Sequence, residues 1–133
     1  MAHVAECAHP LVSVPARYLF TLLMRPDLSE AARGHVRDYA TLGDLFARPL
    51  TAGARPADPA PDALLCPADG RITGAGVISR AAGQVRGKHG WLAVEALLGA
   101  ASPGAGLPAD TGWISIYLPA SGYHRVHMPC AAA

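Results

Sequence analysis

Apolar positions change their spacing along the chain. Between Pro15 and Met24 they occupy most of the circumference of a helix, with Arg17 and Arg25 as flanking cations. Pro15 suits a first helical turn and Pro26 stops the run, so the pattern predicts a helix over 15–24. Ten or so residues rise about 15 Å, half the hydrocarbon thickness of a bilayer. Such a helix cannot span a membrane; it either docks in a protein groove or lies in a membrane interface. A second helix is expected from Asp27 or Ser29 toward Arg37. A third, short one should start at Thr41, whose hydroxyl can cap the amides near Asp44, and stop at Pro49. The stretch from Thr51 to Asp62 holds three prolines and few large apolar groups, and reads as an extended connection.

Beyond it the period falls to two. Ala63–Cys66 and Arg71–Ile78 read as short strands around a tight bend at Pro67–Gly70. Ala93–Leu98 followed by Gly99 predicts a short helix with a glycine stop, and Ala100–Gly112 a loop. In Trp113–Leu118 the residues Ile114, Ile116 and Leu118 share a face, and Tyr123–Met128 continues as a second strand after the bend at Pro119–Gly122. Helices followed by strands predict an α+β fold: a helical segment over 1–50, a connection over 51–62, and over 63–133 the first part of a mainly antiparallel β-rich body, incomplete within this chain.

Composition narrows the function classes. Ala, Gly and Pro make up about 40% of the 133 residues, so little side-chain volume is left to fill one core. The net charge is +1, with Lys88 and ten scattered Arg, which argues against a nucleic-acid partner. No 18-residue apolar run exists, and the N-terminus lacks the basic, apolar, small-residue order of a secretion signal, which points to the cytoplasm. Cys7, Cys66 and Cys130 show no CxxC spacing, which argues against a disulfide framework or a four-thiolate zinc knuckle; they are expected as buried small hydrophobes.

Two places concentrate reactive groups. Asp69, before Gly70, is either a turn residue bonding its own backbone or a carboxylate partner for an imidazole. His124 and His127 stand three apart in Tyr123-His124-Arg125-Val126-His127-Met128-Pro129-Cys130. On a strand that spacing points them to opposite sides, His124 with Val126 and Met128, and His127 with Tyr123 and Arg125, so each imidazole has its own task. Three readings stay open from the residues alone: an Asp-His proton relay, structural histidines, or a small non-catalytic module binding a metal through His124, His127 and Cys130. None of the serines has a Gly-x-Ser-x-Gly setting, so a relay would lack its hydroxyl in this chain.

Four blocks, in order, resemble the phosphatidylserine decarboxylase family of the bacterial membrane-associated type. They are Tyr39–Leu50 continuing to Arg55-Pro56, then Leu65–Ile72 with its Pro-Ala-Asp-Gly turn, then Glu95–Gly99, and Tyr117–Cys130 with the highly specific Tyr-His-Arg-Val-His run. The resemblance implies a pyruvoyl-dependent carboxy-lyase that makes phosphatidylethanolamine from phosphatidylserine. It implies that Asp69 and His127 act with a downstream serine as a charge relay for self-cleavage, and that His124 assists decarboxylation or reprotonation near the substrate. The pyruvoyl cofactor would derive from a serine absent here, since the chain has no Gly-Ser pair. On this resemblance the chain is the first part of a proenzyme and is inactive alone. The expected partners are the phospholipid substrate, the membrane surface and the C-terminal part carrying the pyruvoyl chain, with room for a homodimer. Its expected place is peripheral, on the cytoplasmic side of the cell membrane.

Overall fold

A computed structural model describes residues 2–60, 62–78, 83–87, 90–99, 108 and 110–130. In chain order the elements are α1 (Ala2–Ala5), α2 (Pro10–Met24), a 3-10 turn (Val36–Asp38), α3 (Leu42–Phe46), β1 (Arg71–Val77), β2 (Gln84–Gly87), β3 (Gly90–Ala93), α4 (Val94–Leu98) and β4 (Gly112–Tyr117). Helices with antiparallel sheets make the fold α+β, as expected. The chain divides into two units, residues 1–70 with 118–133, and residues 71–117.

In the first unit α2 begins at Pro10 rather than Pro15. Pro10 fills the first-turn position after an extended His9, and Pro15 sits inside the helix, where its missing N–H forfeits one backbone bond. The helix stops where predicted: Arg25 turns left-handed (φ 49°), donates its N–H to the Thr21 carbonyl, and Pro26 follows. The packing face of α2 is its more polar one. Ser13 and Arg17 are buried, whereas Leu11, Leu22 and Leu23 are 81, 70 and 63% exposed. Arg17 explains the inversion: its guanidinium donates to the carbonyls of Ser13, Val36, Arg37 and Tyr39, tying the 36–39 segment to the helix.

The expected helix from Asp27 or Ser29 to Arg37 does not form. Asp27 Oδ1 accepts the Ser29 N–H at 2.9 Å, a local turn that competes with a helix. The backbone of 30–32 then pairs with 49–51, through Ala32 N–H to Pro49 O and Thr51 N–H to Glu30 O, both at 2.9 Å. The short helix α3 is as predicted at its start, with Thr41 Oγ1 accepting the Asp44 N–H at 3.0 Å, and ends at Phe46, ahead of Pro49. Tyr39 and Leu45 are the large side chains fully buried in this unit. Arg33 stacks on the Tyr39 ring, 4.2 Å from its centroid, and forks onto Asp44 at 2.6 and 2.8 Å.

The expected strands at Ala63–Cys66 and Tyr123–Met128 do not form as regular strands. Two backbone bonds join them, Leu65 N–H to Pro129 O and His127 N–H to Pro67 O, both at 2.8 Å. In an antiparallel ladder each pair would exchange a second bond, but the reciprocal donors would be Pro129 and Pro67, which have no N–H. The two prolines thus halve the ladder while leaving the two segments stapled side by side.

The second unit contains the described strands. The strand β1 pairs antiparallel with β4, with a bulge between Ile72 and Gly74, and β2 pairs with β3. Trp113 lies over Gly74 and Gly76; a Cβ on either would come within 3.0 Å of the indole, so the close approach requires glycine. The β2–β3 hairpin was not foreseen, because Gln84–Ala93 alternates weakly. The helix α4 and the left-handed Gly99 (φ +80°) match the predicted glycine stop. Most of the predicted loop at 100–112 lies outside the described residues, and Gly112 opens β4.

Candidate active site

The Leu65–Pro129 and His127–Pro67 staple sets Asp69 and His127 into the wall of one cavity. Its volume is about 380 Å³, and Arg55, Leu65, Tyr123 and Met128 also line it. A second hollow of about 270 Å³ shares Arg55, Tyr123 and His127 and adds Arg125. Both belong wholly to the first unit.

The two groups are each engaged with other partners. His127 Nε2 lies 2.7 Å from Tyr123 Oη, with the rings stacked at 18° and centroids 5.6 Å apart. The two rings are four residues apart in a segment that forms no strand, and their contact requires the chain between them to bend rather than run fully extended. Asp69 does not fold back on its own turn. Its Oδ2 accepts from Arg55 Nε at 2.9 Å and from Nη2 at 2.6 Å. Arg55 also donates from Nη1 to Glu30 Oε2 at 2.9 Å. Hydrogen bonds to Asp69, then to Glu30, raise the Arg55 pKa above its ordinary value, so the guanidinium stays charged.

His124 is turned elsewhere. Its Nε2 is 2.9 Å from the Pro119 carbonyl, which can only accept, so that nitrogen carries the proton. Its ring stacks on Phe46, 3.9 Å between centroids. It lines neither hollow. Arg125 donates from Nε to the Ala47 carbonyl at 2.7 Å. Arg48 is buried and donates from Nη2 to Ser121 O at 3.0 Å; its Nε and Nη1 have no partner among the described residues, and burial pushes its pKa down.

Among the described residues no group of three or more His, Cys, Asp or Glu side chains is placed to hold a metal ion, which removes the support for a metal module at His124, His127 and Cys130. The cysteines also differ from expectation. Cys66 and Cys130 are exposed and Cys7 is half-buried, all as free thiols. Cys66 lines the same cavity as Asp69 and His127, together with Met128. Arg55 and Glu30 carry no role from spacing alone; the Arg55-Pro56 pair ahead of the Asp-bearing turn is the signal the sequence offers.

The family model described as phosphatidylserine decarboxylase matches residues 42–133. The chain belongs to the phosphatidylserine decarboxylase family. It is 42% identical over 135 residues to the phosphatidylserine decarboxylase proenzyme of Xylella fastidiosa, covering 96% of this chain and 43% of that protein. The proenzyme of Ectopseudomonas mendocina is 40% identical over 129 residues, and that of Bordetella pertussis 37% over 132, with 44% of each relative covered. The chain therefore spans less than half the length of these curated relatives. The matched region takes in α3, the Asp69 turn, both sheets and the His127 block.

Proposed function

We propose that this chain is the N-terminal part of a phosphatidylserine decarboxylase proenzyme, and that Asp69 and His127 form the acid-base pair that drives its self-cleavage. The observation that carries this reading is the shared cavity wall, in which two main-chain bonds hold the His127 segment against the Asp69 turn. In the assembled proenzyme a serine hydroxyl from the C-terminal part enters the cavity and takes the place of Tyr123 Oη at His127 Nε2. That nitrogen accepts the proton the hydroxyl loses on attacking its own preceding carbonyl carbon. In this reading Asp69 serves the opposite nitrogen, fixing the tautomer and stabilising the imidazolium.

The lining fits a small keto-acyl group: an imidazole, a phenol and a carboxylate surround a hollow of about 380 Å³. A pyruvoyl group there would supply an electron-accepting carbonyl, with His127 and Tyr123 as the residues holding it. His124 sits on the same segment with a proton on Nε2, and its proposed assistance near the substrate requires the ring to leave Pro119 and Phe46.

Membrane attachment is peripheral in this reading. No helix among the described residues is long and apolar enough to cross a membrane. The outward face of α2 carries Leu11, Tyr18, Leu19, Leu22 and Leu23, each more than half exposed, beside Arg25, which suits an interfacial helix. The test is the full-length proenzyme mixed with vesicles containing carboxyl-labelled phosphatidylserine. Release of labelled CO2 after self-cleavage into two chains is expected; a cleaved protein that releases none would overturn the substrate assignment.

A further inference from the structure

We propose that Arg55 is a positioning residue for Asp69, gripping one carboxylate oxygen so that the other is presented to the cavity shared with His127. The proposal rests on the reading above that Asp69 and His127 work together. Asp69 lies in the bend Pro67–Gly70, outside any regular element, and its side chain is 37% exposed. A carboxylate so placed has several rotamers within reach. Arg55 removes that freedom: Nε and Nη2 converge on Oδ2 and leave Oδ1 without a partner among the described residues.

The guanidinium is itself held from its far side. Nη1 donates to the Ala54 carbonyl at 2.8 Å and to Glu30 Oε2 at 2.9 Å, so every nitrogen of the fork is engaged and its plane is set. Glu30 is placed in turn by the pairing of 30–32 with 49–51. A chain of fixed geometry thus runs from that pairing through Glu30 and Arg55 to Asp69. A lysine would keep the charge but lose the fork, and with it the choice of oxygen. Arg55 is 45% exposed, so its ion pairs do little for folding, and their purpose is local placement.

The experiment measures self-cleavage rate and melting temperature of the full-length proenzyme carrying Asp69→Asn, Arg55→Ala, Arg55→Lys, Glu30→Gln and the Arg55→Ala/Glu30→Gln pair. Arg55→Ala is expected to cleave on the order of tenfold to a hundredfold more slowly with its melting little changed. Arg55→Lys should remain slow, and added guanidinium ion at millimolar concentration should restore Arg55→Ala but not Asp69→Asn. Glu30→Gln should lose less, and nothing further on top of Arg55→Ala, because it acts through the same fork. If Arg55→Ala cleaves at the normal rate or faster while Asp69→Asn stays uncut, the positioning role is overturned and the relay stands. If Asp69→Asn cleaves normally, the relay itself is overturned. Slow cleavage of Arg55→Ala with collapsed melting and no guanidinium rescue marks a structural residue and overturns the proposal.

Discussion

Replacing Arg17 by Met removes a buried fork of donors to the 36–39 segment while keeping most of the alkyl stem. Two of the four carbonyls it serves keep another donor: Ser13 O retains its helical bond from the Arg17 N–H, and Val36 O retains the Tyr39 N–H at 3.4 Å. The loss concentrates on the Tyr39 carbonyl, whose residue is 1% exposed, with a weaker share from Arg37 O at 3.5 Å. A hydrogen bond from a charged donor contributes about 1.5–3 kcal/mol, and an orphaned buried carbonyl keeps its full desolvation cost. The expected destabilisation is about 3 kcal/mol, roughly a 150-fold change in the folding constant. In urea unfolding followed by far-ultraviolet circular dichroism, a slope near 2 kcal/mol/M places the midpoint about 1.5 M lower. Arg17→Lys should recover part of this, since one ammonium reaches fewer of the carbonyls. An Arg17→Met chain within about 0.5 kcal/mol of the parent would refute the claim that this cation ties α2 to the 36–39 segment.

Other perturbations follow from the same unit. Hydrogen bonds from Arg33 hold the Asp44 carboxyl below the usual carboxylate range. Its contribution is therefore complete above the unfolded value of about 4 and fades as pH falls through the lower native one. Asp44→Asn should melt below the parent at neutral pH, with the gap narrowing as the pH falls below the unfolded value; a gap of constant size would contradict the pairing. Thr41→Ala should cost about 1 kcal/mol through loss of the cap on the Asp44 amide, and Thr41→Ser almost none, both read from thermal melts.

What was legible in the chain was what depends on neighbours in sequence. The Pro26 stop, the Thr41 cap, the Gly99 stop and the strand at β4 are local chemistry, and each appears where its residues predicted, although Ile114 on the alternating face of β4 is 63% exposed. The failures are tertiary. Nothing between Asp27 and Arg37 announces that residues 30–32 will pair with 49–51, some twenty residues away, and that pairing displaces the helix. The polar inner face of α2 follows from one long-range cation, Arg17, which the apolar spacing could not reveal. At the candidate site, the two blocks carrying Asp69 and His127 were visible as letters, but the staple between them depends on carbonyls of two prolines. Tyr123 was legible as sharing a side with His127 but not as its hydrogen-bond partner, and Arg55, fourteen residues before Asp69 across the proline-rich connection, drew no role from spacing.

The central claim is that Asp69 and His127 serve one hydroxyl from one cavity, and self-cleavage of the full-length proenzyme tests it most directly. Asp69→Asn and His127→Ala should each leave a single uncut chain on a denaturing gel, with an intact mass and no new blocked N-terminus, while His124→Ala still cleaves. Two chains of normal size from either Asp69→Asn or His127→Ala, produced at the parent rate, would contradict the account.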